Sequence, residues 1–353
     1  MSPLLFFKKT KSFKEGNIDS ILLLRHDRIG DMVLLTTLFK SLRIKYPYAW
    51  IIVLASEKNK EIIQNDPNVN EVLVYRGLLW FIGETRKRRI DLVVDLFYTY
   101  ELKTAFLSYI SGAKYRIGFE IAGREIFFNL KGPRMQRSTH MINCLLDIAE
   151  YLGVDRKESS PQIYLMEDEI QWAKGYFASK NFVDGELKIA VHPGAHYQSQ
   201  RWPVQYFAEL IKKITDKFKV RVIVFSEKSE KKILAQMQDI VGMDNVEYAH
   251  DKTLRQFMAL LSQCDLLICN NSGPLHIAVA ENIPTVSITG PTDLNLWSPC
   301  GKEHVVIRHN LPCSPCNLSF CQRHKCMELV IVKEVEEAVD AQIQRINRKK
   351  TYA

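Results

Sequence analysis

The chain has 353 residues, 46% of them hydrophobic and 25% charged, enough for two domains of ordinary size with well-filled cores. No run of about 18 apolar residues occurs, so no membrane-spanning helix is expected. The net charge of +8 suits a lipid surface or a phosphorylated substrate better than nucleic acid, because no aromatic–basic interleaving, recognition helix or zinc-finger pattern accompanies it.

The start, "MSPLLFFKKTKSFK", places a short apolar patch before its lysines. A secretory signal has the reverse order and a longer apolar stretch. Residues 1–17 therefore read as an unprocessed tail, either disordered or lying on an anionic membrane. With eight cysteines and no signal sequence, a reducing cytoplasm is expected.

Residues 18–160 alternate strand and helix patterns. Strands are expected at 20–24, 50–54, 71–75 and 90–96, and helices at 31–46, 57–65, 78–89, 101–112 and around 138–152. Apolar strands alternating with helices imply a parallel sheet covered on both faces. The polar "GVDRKESSPQ" then reads as a linker. Residues 161–332 begin the pattern again, with "LKIAVHPGAH", "VRVIVFS", "DLLICN" and "TVSITG" as strands and a helix at 204–218. In the last segment, 333–353, Val335, Ala338, Val339 and Ile343 line one face of a helix. The first domain is one surface on which that face could pack. Basic clusters stand at 86–89 and 345–350.

The expected fold class is thus α/β, with two Rossmann-like domains whose parallel sheets face an interdomain cleft. Ligands of such sheets bind beyond the carboxyl ends of the strands, and the unusual residues concentrate there. "RHDRIGDMVLL" follows the first strand, and Asp31 reads either as a helix cap or as a working acid. "NNSGPLHIA" follows "DLLIC": Ser272 is a natural cap, Gly273 allows close approach, Pro274 suits a first turn, and His276 lies within reach of the same point. A helix begun this way presents free N–H groups to an anion such as phosphate, although a merely capped buried helix has the same appearance. In "HPGAHYQSQRWP", Arg201 reads as a pyrophosphate ligand or as a solvated arginine. Glu227 reads as a ribose acceptor or as a solvated charge. Neither the dinucleotide glycine fingerprint nor the ATPase phosphate loop is present.

Taken in order, "LLRHDRIGDMVLLTTLFKSL", "HPGAHYQSQRWPVQYFAEL", "NNSGPLHIAVAENIPTVSITGPTD" and "CSPCNLSFCQRHKCM" resemble the bacterial heptosyltransferases of glycosyltransferase family nine, over about residues 20 to 335. The resemblance implies a GT-B fold and inverting, metal-independent transfer of heptose from ADP-heptose to the lipopolysaccharide inner core. Asp31 would be the general base, with Arg28 and Gly30 on the acceptor side. The donor would meet His192, Gly194, Ala195, Gln200, Arg201, Glu227, Asn271, Ser272, Gly273 and His276. No cofactor is implied. The partners are the nucleotide sugar, the lipid A core acceptor and the inner face of the cytoplasmic membrane, to which the enzyme would be peripheral.

This chain departs from the family's pattern twice, with Gln200 where lysine is common and Asn271 where the family reads "NDSG". A related transferase using another nucleotide sugar, or a non-catalytic binding protein of the same fold, are the alternatives. Cys313, Cys316, Cys321 and Cys326 form CxxC-x4-C-x4-C, which alone suggests zinc or an iron–sulfur cluster. Because the segment resembles a recurring part of a family that works without metal, no metal is assigned to it.

Overall fold

The computed structural model describes residues 13, 18–134, 139–156, 160–183 and 185–352. Apart from Phe13, the expected basic tail lies outside them. The chain divides into two compact units between Tyr164 and Leu165.

In the first unit, β1 (Ser20–Leu24), α1 (Ile29–Lys45), β2 (Trp50–Ala55), β3 (Glu71–Val74), α2 (Leu78–Arg88), β4 (Leu92–Asp95), α3 (Leu102–Ile110), β5 (Tyr115–Gly118) and α4 (Met141–Glu150) follow one another. The strands form one sheet in the order β3-β2-β1-β4-β5, parallel throughout. Leu22, Leu24, Ile52, Leu54 and Val93 share one core with Phe81 of α2 and Leu107 of α3 on one face of the sheet. The alternate residues Leu23, Ile51 and Val53 are buried on the other face, as near-continuous apolar strands require. α1 is buried on almost every side, from Gly30 to Phe39. Its Thr36 and Thr37 return their hydroxyls to the carbonyls of Val33 and Leu34 at 2.7 and 2.8 Å, so no polar group is left stranded there.

The helix expected at 57–65 is instead a single 3-10 turn, Lys60–Ile62. The side chain of Asn59 accepts from the Ser56 N–H at 2.8 Å and donates to the Arg25 carbonyl at 3.0 Å. These bonds hold a turn that competes with helix propagation.

The second unit contains α5 (Glu167–Ser179), β6 (Leu187–His192), α6 (Val204–Lys217), β7 (Val220–Ser226), α7 (Lys231–Val241), β8 (Val246–His250), α8 (Leu254–Leu261), β9 (Leu266–Asn270), α9 (Gly273–Ala280), β10 (Thr285–Ile288), α10 (Leu294–Trp297), β11 (His304–Ile307), α11 (Lys325–Glu328) and α12 (Val332–Tyr352). Its sheet runs β11-β10-β9-β6-β7-β8, again parallel. α12 is the expected final helix, and its apolar face is spent within this unit. Val335, Val339, Ile343 and Ile346 join the core of the second sheet, and Arg345 and Lys349 pair with Glu303 at 2.9 and 3.2 Å. It is therefore part of the second unit's core.

Each sheet has one place where the strand order reverses direction, between β1 and β4 in the first unit and between β6 and β9 in the second. At such a point the loops leave in opposite directions and open a crevice beyond the strand ends.

Candidate functional site

Four residues separate β1 from α1, and they carry most of the chemistry of the first unit. Arg25 is 1% exposed. One guanidinium nitrogen, Nη2, donates to Oδ1 of Asp31 and another, Nη1, to the carbonyl of Leu96, just past β4. Its Nε lies 3.4 Å from Oδ1 of Asp27, and its guanidinium carbon stands 5.6 Å from the Phe97 ring centre. Burial works against the Arg25 charge, but Asp27, Asp31 and Asp95 outweigh it and raise its pKa. The arginine thus pins the reversal between β1 and β4 to the start of α1.

Asp31 does not cap the helix. The cap position is Arg28, which has extended backbone and no side-chain cap. Asp31 stands in the first turn, 7% exposed, where a carboxylate complements the positive helix end. Arg28 is exposed and Gly30 buried, flanking it.

The residues between bring two further groups. Burial pushes Asp27 up to about 6, with Arg25 opposing and Asp31 adding to the rise. His26 is lowered to about 4 by burial, with help from Lys103 and Arg25. It is a neutral ring at pH 7, stacked 4.9 Å from Tyr75 and edge-on to Phe97 at 5.0 Å. Behind them Asp95 is fully buried and accepts from Arg124 at 2.6 Å and from the Phe97 N–H at 3.0 Å. Sequence reading missed Arg25, because a lone arginine at a strand end has no pattern that marks it as buried.

In the second unit, Asn270 at the end of β9 organises the crevice. Its amide donates to the carbonyls of Pro193 and Gly194 at 2.8 and 3.1 Å and accepts from the Trp202 N–H at 2.9 Å. This joins the turn after β6 to the strand beside it. His192 is 5% exposed and its Nδ1 has no partner. Arg201 donates from Nε and Nη2 to the Ala195 carbonyl at 3.0 and 2.8 Å, so its fork braces the turn. Gln200 donates to the Thr292 hydroxyl at 3.1 Å, linking the same turn to the loop after β10.

α9 starts at Gly273 with Ser272 in the cap position, Pro274 in the first turn and no side-chain cap bond. Ser272 instead donates to the Asn270 carbonyl at 3.4 Å. His276 is buried in that first turn, 5% exposed. Asn271 is 4% exposed and donates to the Trp297 carbonyl at 3.3 Å.

Glu227 is exposed at the end of β7, while Glu230 is 4% exposed and accepts from the Glu227 N–H at 3.0 Å. A Cβ added at Gly194 would lie 1.8 Å from the Glu230 carboxylate, so the glycine is what lets this acid approach the turn. Glu230 is the buried acid at the crevice. A run of alternating Lys and Glu gave no means of choosing it over Glu227.

The cysteine loop lies over this same turn region. The N–H groups of Cys316 and Asn317 donate to the Pro291 carbonyl at 3.1 and 2.9 Å, and His324 Nε2 lies 3.2 Å from the Ser199 carbonyl. Cys313 and Cys316 are exposed and Cys326 is buried. Burial raises Cys326, and the other three thiols of the loop add to it. Among the described residues no group of three or more His, Cys, Asp or Glu is arranged to hold a metal.

The model of "Glycosyltransferase family 9 (heptosyltransferase)" matches residues 81–327. The chain is 25% identical to lipooligosaccharide heptosyltransferase 2 of Haemophilus ducreyi over 309 residues, covering 82% of this chain and 88% of that one. Its fold is that of a family 9 glycosyltransferase from Veillonella parvula, with a TM-score of 0.81, 19% identity and coverage of 94% and 99% of the two chains. The ADP-heptose lipopolysaccharide heptosyltransferase II of Escherichia coli matches with a TM-score of 0.77 and 21% identity, covering 92% and 99%. The two parallel α/β units are thus of the GT-B class.

Proposed function

The chain belongs to glycosyltransferase family 9, the heptosyltransferase family, and from that premise we propose that it transfers heptose from ADP-heptose to the inner core of lipopolysaccharide with inversion. The observation that carries the mechanism is the acid at the first reversal point, Asp31, buried in a helix start and oriented by a fully buried arginine. In the reaction an acceptor hydroxyl oxygen bonds to the anomeric carbon as the bond from that carbon to the ADP oxygen breaks. Asp31 takes the hydroxyl proton. A carboxylate is a weak base, which serves when the proton leaves late, after the attacking oxygen has become acidic.

Donor binding is assigned to the second unit. The first turn of α9 faces the diphosphate with free N–H groups, near His276 and the turn 192–195 that Arg201 braces. Glu230, ahead of Glu227, is the acid for ribose hydroxyls. The leaving diphosphate is stabilised by helix N–H groups and cations in place of a metal ion.

A second donor is favoured by one feature, the neutral pair Gln200 and Asn271 in the donor half. A screen of nucleotide sugars for thermal stabilisation separates the readings, because a specific donor raises apparent stability by mass action. No described helix is long and apolar enough to cross a membrane. Because the proposed acceptor is a glycolipid, the proposed place of action is the inner face of the cytoplasmic membrane, with the chain peripheral to it.

The test is turnover of ADP-heptose on heptose-deficient lipopolysaccharide, with and without chelator, for the parent and Asp31→Asn. The substitution is expected to lower turnover roughly a hundredfold or more while ADP affinity persists, and chelator is expected to change nothing. Turnover of Asp31→Asn within a few-fold of the parent, or activity that chelation abolishes and a divalent ion restores, would sink the mechanism.

A further inference from the structure

α3 follows β4 directly and shows two unlike faces. Thr104, Ala105, Leu107 and Ser108 are buried against the sheet. Leu102, Phe106 and Tyr109 recur at helical spacing on the other side and are 48%, 38% and 37% exposed. The Phe106 ring lies 6.4 Å from Tyr109 and 5.7 Å from Phe127, so the stripe broadens into an aromatic surface.

Cations rim it. Lys103 is exposed beside Leu102 and Lys114 is exposed at the foot of β5. The Arg116 guanidinium stands 5.5 Å from the Tyr109 ring, fixed by bonds to the carbonyls of Phe127 and Ala113 at 3.0 Å. Glu101 and Glu125 are the acids on the neighbouring segments. Lys103 also acts electrostatically on His26, so the N-terminal end of the stripe lies within charge range of the segment after β1.

We propose that this face of α3 is the docking surface for an anionic phospholipid bilayer, seating the chain so that a lipid-anchored acceptor meets Asp31. The proposal rests on the glycolipid acceptor argued above. Aromatic rings with long cations at their edges suit the level of lipid headgroups, where the ring body is apolar and the charge remains hydrated. A stripe built on one nine-residue helix is small against the roughly 800 Å² per partner of a stable protein interface. Anionic headgroups also complement the cationic rim.

The experiment is co-sedimentation of the full chain with phosphatidylcholine vesicles, with and without phosphatidylglycerol. The variants are Phe106→Ser/Tyr109→Ser, Lys103→Gln, and deletion of residues 2–14. The aromatic double variant is expected to lower partitioning roughly tenfold, and Lys103→Gln to lower it only where phosphatidylglycerol is present. Turnover on acceptor embedded in vesicles is expected to fall in step, with turnover on a delipidated soluble acceptor unchanged. Unchanged partitioning of the double variant, or loss confined to the 2–14 deletion, overturns the proposal. A change in oligomer size with partitioning intact also overturns it and assigns the stripe to a protein contact. No turnover on either acceptor refutes the glycosyl-transfer reading instead, whatever the vesicles show.

Discussion

Replacing Arg25 with lysine keeps the buried positive charge and removes the fork that distributes it. Arg25 meets Asp31, the Leu96 carbonyl and Asp27 with three different nitrogens, a geometry that a single ammonium on a shorter stem cannot reproduce. Charge-assisted hydrogen bonds contribute about 1.5–3 kcal/mol each. Losing one or two, with partial recovery by the lysine, predicts destabilisation of about 2–4 kcal/mol. The more diagnostic effect is on position. Asp31 would no longer be tied to the end of β4, and a displacement of about 1 Å costs roughly a hundredfold in rate. The assay is kcat and donor KM measured separately, below the melting temperature of the variant, with turnover expected to fall and donor KM to stay. Arg25→Ala with added guanidinium is a second arm, expected to recover part of the turnover. A kcat within about threefold of the parent in a folded Arg25→Lys variant would make Arg25 a structural strut alone.

Arg201→Ala should weaken ADP binding by about 1–3 kcal/mol, with lysine a poor substitute, because the fork must span from the turn at Ala195 to the diphosphate. Calorimetric titration with ADP checks it, and parent-like affinity would place the donor elsewhere. Glu281 follows the last turn of α9, and burial raises it to about 7, with Arg255 opposing. A carboxyl whose pKa is raised on folding contributes stability below its unfolded pKa and loses it as pH rises through the folded value. Glu281→Gln should therefore be neutral near pH 4 and more stable than the parent above pH 7, by an amount on the order of 1–3 kcal/mol. Melting curves across that range decide it, and equal curves above pH 7 would refute the shift.

The strands of both sheets were legible because they are buried on both faces and bounded by turns. Ser20–Leu24 and Val220–Ser226 are nearly pure apolar runs. β5, β8 and β11 were not, since "YRIG", "VEYAH" and "HVVI" are edge strands, too short for a periodicity that stands out. Asp31, the 192–201 turn and the start of α9 were findable from residue type and position at strand ends. What holds them was not. Arg25 and Glu230 are charged residues buried by long-range partners, Leu96 for one and Gly194 for the other, and such partners have no trace in local spacing. The same limit let Asp31 read as a cap, because this first-turn acid stands three residues past the cap position, Arg28, and differs from a cap by a bond to an arginine upstream.

The two departures in the donor half gain a physical reading from the hydrogen bonds they make. Where the family's pattern carries an acid, Asn271 is almost wholly buried and uses its amide N–H to bond the Trp297 carbonyl at 3.3 Å. A carboxylate there would set a charged oxygen against a carbonyl oxygen with no donor between them. Leaving such a pair buried costs about 2–3 kcal/mol, so Asn271→Asp should lower the melting temperature by about 4–10 °C. Restoring the family's residue should therefore harm this chain. Gln200 likewise bonds Thr292 at 3.1 Å, so the turn after β6 and the loop after β10 are joined by neutral amides. The alternative is that the acid was lost because the donor changed. In that case Asn271→Asp would keep its stability and gain affinity for a nucleotide sugar that the parent binds poorly. Melting curves and a donor titration on this one variant distinguish the two: lower stability without new affinity supports the packing account, and new affinity at parent-like stability refutes it.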